Sequence, residues 1–268
     1  MNTLLPLLAA TFFLFTDGAS GTELPSGNEI ARRINERDEG LAVSRQVTME
    51  MTEASGKTRI RETQGFRKYY GREKRTVIFY LNPRSIRGTA FLTYDYPEAK
   101  HDDDQWLYLP ALRKVRRISA SERGDYFLGT DFTYEDIKLE TRVSLKDYRR
   151  NTVGESEADG VHCLQLESFP VSQEIAEELG YSRVFQCVDD QIWIVRRSQM
   201  WDLKGQPLRT IHFRDIRQIQ EIWTPHTIEV VNPKTGHRTR LLFANVDYQA
   251  GVEDRIFTKN ALKRGWRR

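Results

Sequence analysis

Cysteine is scarce in this chain: two in 268 residues, alongside five histidines. Neither a disulfide-dense scaffold nor a zinc ribbon can be built from so few ligands. Long apolar runs are missing too, since no stretch approaches the roughly 20 residues that a membrane-spanning helix needs. Charge of one sign is not in excess, with 41 Lys+Arg against 38 Asp+Glu. That balance excludes a strongly basic nucleic-acid protein. What remains is a chain long enough for a substantial core. It is 39% hydrophobic and 11% aromatic, too rich in core formers for a disordered protein.

The first apolar feature is the uncharged run Leu4–Phe15, followed by the small residues Gly18, Ala19, Ser20 and Gly21. The run is too short for a stable anchor and fits a secretory h-region, although no Lys or Arg precedes it. It predicts a cleaved signal over 1–21, a single domain over 22–268 and a periplasmic location; a buried N-terminal strand or helix is the alternative. In an oxidising compartment, Cys163 and Cys187, each inside a strand-like segment, are expected to form a disulfide. Two free buried thiols are the other reading.

Beyond the signal, Asn28 can cap a short helix over Glu29–Arg37 that stops at Gly40. The period then changes to two. Val43, Val47, Met49 and Met51 share one face, with Ser44, Gln46, Thr48 and Glu50 on the other, as in a half-buried strand. A second strand is expected over Lys57–Tyr70, and Thr76–Leu81 is apolar on both faces, as in a strand covered on both sides. Further strand-like runs are Ala90–Tyr94, Gln105–Leu109, Lys114–Ile118, Thr141–Tyr148, Gly160–Glu167, Ser182–Val188, Ile192–Ser198, Leu208–Phe213, Ile216–Trp223, Thr227–Val231 and Arg238–Val246. Lys204–Pro207 and Asn232–Gly236 read as hairpin tips. Helical segments are few: Ser172–Gly180, Asp131–Leu139 and Phe257–Leu262. The expected fold is mainly β, a strongly curved antiparallel sheet with helices over its mouth.

No catalytic or metal motif stands out. His101, His162, His212, His226 and His237 are scattered, and neither a nucleophile turn nor a Gly-rich phosphate loop occurs. His101-Asp102-Asp103-Asp104 could chelate a cation, but its place before Gln105–Leu109 reads as a solvated hairpin tip. Asp189-Asp190 reads as a turn. The basic groups Arg72, Lys74 and Arg75, then Arg113, Lys114, Arg116 and Arg117, and finally Lys263, Arg264, Arg267 and Arg268, read as solvated faces. Docking on anionic headgroups or an acidic partner is the sharper alternative. No metal, cofactor, catalytic residue or nucleic-acid partner is expected.

Three segments together carry a resemblance: Trp106-Leu-Tyr-Leu-Pro110, Arg113-Lys-Val-Arg-Arg-Ile118 and Phe127-Leu-Gly-Thr-Asp-Phe-Thr-Tyr-Glu-Asp136. With Trp201-Asp202-Leu-Lys-Gly205 and Phe257-Thr258, they resemble the LolA-like outer-membrane lipoprotein-sorting proteins of Gram-negative bacteria, many of which accompany an RND-type exporter. The resemblance implies an open half-barrel, LolA/LolB-like, closed by helices over an apolar cavity that shelters acyl chains. It implies a monomeric, non-catalytic carrier of a lipid or lipoprotein. An exporter or an outer-membrane acceptor would be its partner.

Burying an acyl chain gains about 0.8 kcal/mol per methylene, and the aromatic and Met content suits a deformable lining. The residues expected to line the cavity are Val47, Met49, Phe79, Phe91, Trp106, Tyr108, Phe127, Phe132, Trp193, Ile228 and Phe243. Arg45, a charge on the Val43–Met51 face, is a candidate lid-closing donor; an edge arginine is the plainer reading. Two alternatives to a carrier are an adaptor subunit of an exporter, acting through protein contacts, and a hydrolase using His101 and its neighbouring aspartates.

Overall fold

The computed structural model describes residues 23–97, 101 and 103–266; the expected signal segment and Asp102 lie outside them. Helix α1 (Gly27–Glu36) opens the described chain. Six strands follow: β1 (Ala42–Thr52), β2 (Thr58–Tyr70), β3 (Glu73–Asn82), β4 (Ala90–Asp95), β5 (Asp104–Leu109) and β6 (Lys114–Ile118). After helix α2 (Tyr134–Leu139) come β7 (Tyr148–Ala158), β8 (Val161–Pro170), helix α3 (Gln173–Leu179), β9 (Arg183–Asp189) and β10 (Ile194–Trp201). The chain ends with β11 (Pro207–Ile219), β12 (Ile222–Val231), β13 (Arg238–Asp247) and helix α4 (Lys259–Arg264).

All 13 strands form one antiparallel sheet in the order β6-β5-β4-β3-β2-β1-β13-β12-β11-β10-β9-β8-β7. Each meander, β1 to β6 and β7 to β13, is a run of neighbouring strands, and β1 pairs with β13 to join them. The sheet curls but does not close, which leaves β6 and β7 as its two edges. Those two strands are consecutive in sequence. Residues 119–147 between them must therefore cross from one edge to the other, over the open side of the half-barrel. Phe127, Phe132 and Ile137 of this connection pack with the trough-facing residues and make it the cover of the trough.

The chain's layering explains its unusual strand patterns. Alternation in β1 buries every second residue from Val43 to Met51, with Arg45 among them. In β3, Ile78 and Tyr80 face the trough under the cover, whereas Val77 and Phe79 face the opposite, convex side. There the last segment, with Val252, Phe257, Leu262 and Trp266, lies against Phe66, Phe79, Leu92 and Trp106. A strand covered on both sides has to be apolar on both.

Several expectations need correcting. Ser26, not Asn28, caps α1 by accepting the Glu29 amide. Both are good caps, and Gly27 decides between them. A Cβ there would come within 2.8 Å of the Arg150 backbone, so only glycine lets the first turn dock on β7. Thr141–Tyr148 is not a strand but the irregular end of the cover, and the strand begins where that expectation ended, at Tyr148. β7 alternates with polar residues and lacks the apolar run that marks its neighbours. Ile216–Trp223 is broken by a turn at Gln220 and Glu221, both at positive φ, where neither Gly nor Asn advertises it. Asp131–Leu139 is helical only from Tyr134, where Thr133 and Asp136 form a capping box.

Cys163 on β8 and Cys187 on β9 form a disulfide, their Cα atoms 5.4 Å apart.

Candidate functional site

Between the concave sheet and the cover lies a cavity of about 100 Å³. Val47 and Met49 from β1 line it, with Ile211, Phe213, Ile228, Leu241 and Phe243 from β11 to β13. Phe132, Ile137 and Leu139 come from the cover. Of the eleven residues expected to line a cavity, Val47, Met49, Phe132, Ile228 and Phe243 do so. Phe79, Trp106 and Tyr108 belong to the convex face and pack with the C-terminal segment instead. Strands apolar on both faces carry no sign of which face is which. Phe91 and Phe127 are fully buried, their rings 4.9 Å apart, and they fill the β4 end of the trough as solid core. Trp193, at positive φ after β9, packs against the core edge with Arg33 stacked 4.7 Å from its ring. Met200, Val184 and Tyr181 also line the cavity, beyond the eleven expected. The alternation Val184, Gln186, Val188 held a weak signal for the second of them.

The cover is held by buried charge. Arg45, only 8% exposed on β1, makes a two-pronged ion pair with Glu140 just beyond α2, and its guanidinium lies 4.9 Å from the Phe243 ring. Glu140 sits at φ 59, a backbone region that non-glycine residues avoid. Lys74, 1% exposed, donates to the carbonyls of Lys138 (2.8 Å) and Leu139 (3.2 Å), placing a cation on the carboxyl end of α2. This overturns its reading as part of a solvated face. Asp103 is half-buried, paired with Lys138 and accepting the Tyr96 amide at 2.9 Å; it is no solvated hairpin tip, although His101 near it is exposed. Arg209 reaches Asp136 at 2.7 Å, and Arg123 reaches Asp147 at 3.0 Å and Glu178 at 2.9 Å. Glu39 binds Arg37 and Tyr69 and accepts the Thr141 hydroxyl at 2.7 Å.

These contacts set the pKa values. Burial works against ionised Glu140, yet Arg45, with Arg67 and Lys74 behind it, holds its carboxyl below the usual range. The same contest ends the same way for Glu39, Asp103 and Asp147, through Arg37 and Arg67, Lys138, and Arg123 respectively. Burial pushes Glu135 the other way, up. Lowered carboxylates contribute stability above their unfolded pKa, about 4, and lose it as pH falls through the folded value. Glu135 has the opposite sign and offsets part of this. The urea midpoint is therefore expected to hold from pH 7 to about 5 and to fall steeply below about 4. A midpoint flat down to about pH 3 would show that these pairs contribute nothing.

Among the described residues no three or more His, Cys, Asp or Glu converge to hold a metal ion, and no helix is long and apolar enough to cross a membrane.

Comparison with known proteins places this architecture. A structure of a Vibrio parahaemolyticus domain assigned to outer membrane lipoprotein sorting is 30% identical, with a TM-score of 0.78, covering 88% of this chain and 98% of that one. The chain belongs to the LolA-like lipoprotein-sorting family. A family model described only as "Uncharacterized protein" matches residues 72–264. A DUF1329 family protein from Desulfovibrio piger is 29% identical at a TM-score of 0.80, over 88% of this chain and 97% of that one. A LolA superfamily protein from Nitrosomonas europaea shares the fold at 19% identity and a TM-score of 0.66, over 89% of this chain and 100% of that one. No curated protein matches the chain.

Proposed function

We propose that this protein is a periplasmic carrier that shelters the acyl chains of a lipid or lipoprotein on the way to the outer membrane, without covalent chemistry. The observation that carries the reading is an apolar trough roofed by a segment held down by ion pairs. About 100 Å³ is less than the roughly 300–1,000 Å³ of a ligand site, and on this reading the cover is shut over the trough. An acyl chain needs the cover to lift. Buried ion pairs suit such a cover, because their charges recover hydration on opening and their net contribution to closure is small. An apolar lid of equal area would resist at about 25 cal/mol per Å² exposed.

Protein isolated from periplasm should carry lipid in stoichiometric amount, detectable by native mass spectrometry. Repeated absence of lipid, with an exporter subunit bound instead, would overturn the carrier in favour of the adaptor. Leu241→Trp, which fills the trough from its floor, should reduce co-purifying lipid at least about tenfold while costing only about 1–3 kcal/mol by overpacking. Unchanged lipid loading in that variant would place any ligand elsewhere.

A further inference from the structure

The trough is not uniformly apolar. On its β7 to β10 side a polar track crosses the concave face. Arg150 on β7 stands opposite Ser168 on β8, and Gln186 on β9 stands opposite Ser198 on β10; all four line the cavity. Ser168 and Ser198 are 3% and 2% exposed, and the hydroxyl of each is buried without a hydrogen-bond partner. Arg150 forms no ion pair among the described residues and donates only to the carbonyls of Tyr148 and Ser144. The cover supplies Arg142, which also lines the cavity and has a buried Nε without a partner. Arg142 forms no ion pair among the described residues either, and its guanidinium lies 5.7 Å from the Tyr69 ring. By contrast, both carboxylates on the lining, Glu140 and Asp136, are taken up by Arg45 and Arg209.

A wall built only for hydrocarbon would gain nothing from two guanidinium groups without counter-ions and two orphaned hydroxyls, since the hydroxyls lose water without recovering a partner and the guanidinium charges are left uncompensated. An anionic headgroup answers all of them together, as guanidinium donates two parallel hydrogen bonds to a carboxylate or phosphate. We infer that the cargo is an anionic amphiphile, its oxyanion held between Arg150 and Arg142 with Ser168 and Ser198 as neutral donors, and its chain lying against β1 and β11 to β13. Burial, which pulls the Arg150 guanidinium down, is relieved by such an anion. Arg142 and its neighbours Leu139, Val143 and Ser144 also line an outer cleft beside the cover, so the anion site lies at the boundary through which a headgroup would pass.

The inference rests on the carrier reading, and one titration separates the two. The full chain without its first 21 residues is titrated with cis-parinaric acid and with its methyl ester, which differ only in the charge. The acid should bind about tenfold more tightly, the effect of one charge-assisted hydrogen bond. The ratio of acid to ester affinity should fall toward one in Arg142→Gln and in Arg150→Gln, and by a smaller factor in Ser168→Ala/Ser198→Ala. Arg142 lies on the cover, so its variant tests the idea even if Arg150→Gln does not fold. Competition by hexadecyl phosphate and by palmitate then distinguishes a phosphate head from a carboxylate. Equal binding of acid and ester, or a preference that survives both arginine substitutions, overturns the anion site and leaves the carrier standing. Failure of every probe to bind overturns both.

Discussion

Glu140→Ala is expected to destabilise the protein by about 3–5 kcal/mol, measured as a shift in the urea midpoint, because it leaves the buried Arg45 guanidinium without its carboxylate. The two are bound prong to prong, with Arg45 pressed between that carboxylate and the Phe243 ring. Two further consequences separate this pair from an ordinary stabilising contact. Replacing both residues together by leucine should recover most of the loss, because the desolvation of both charges disappears with their attraction. The single variant should also expose the trough, raising binding of a hydrophobic dye at pH 7. Glu140 holds its place against a backbone conformation that itself costs of order 1–3 kcal/mol, so Glu140→Gly should be milder than Glu140→Ala. A double variant that loses the sum of the Arg45 and Glu140 single losses would show that the two act independently and do not latch the cover.

Phe91→Ala should cost about 3–5 kcal/mol by removing a fully buried ring, yet leave acyl binding per folded molecule intact. Phe91 contacts Phe127 and Tyr134 of the cover with ring centroids 4.9 and 5.6 Å away, so it supports the fixed end of the roof and does not face the cavity. Leu241→Trp is its mirror image, with loading lost and stability largely kept. Loss of binding in folded Phe91→Ala would move the working part of the trough to the β4 end.

The alternation in β1 was legible, and the two-residue period alone puts Val47, Met49 and the odd charge Arg45 on one face. The helix at Gln173–Leu179 was legible from Ser172 and Gly180, which bracket it as cap and left-handed terminator. Phe79, Trp106 and Tyr108 could not be assigned to a face, because β3 to β5 are apolar on both sides and only the docking of residues 250–266 turns one side into a second core. Lys74 and Asp103 were misread for a related reason. A charged side chain looks solvated until its partner, 64 residues away in the chain for the Lys74–Lys138 contact, is brought beside it. Arg150, Ser168 and Ser198 were invisible as a group, since register across strands places them, not spacing along one.

By itself the sequence determined a mainly antiparallel fold, its approximate strands, a capped helix or two and a family, because these follow from period, turn chemistry and local motif. Only the tertiary structure decided that 119–147 roofs the trough, which charges pin it and which wall is polar. Those depend on strand order: β6 and β7 are neighbours in the chain but opposite edges of the sheet, and no local interaction along the chain carries that information.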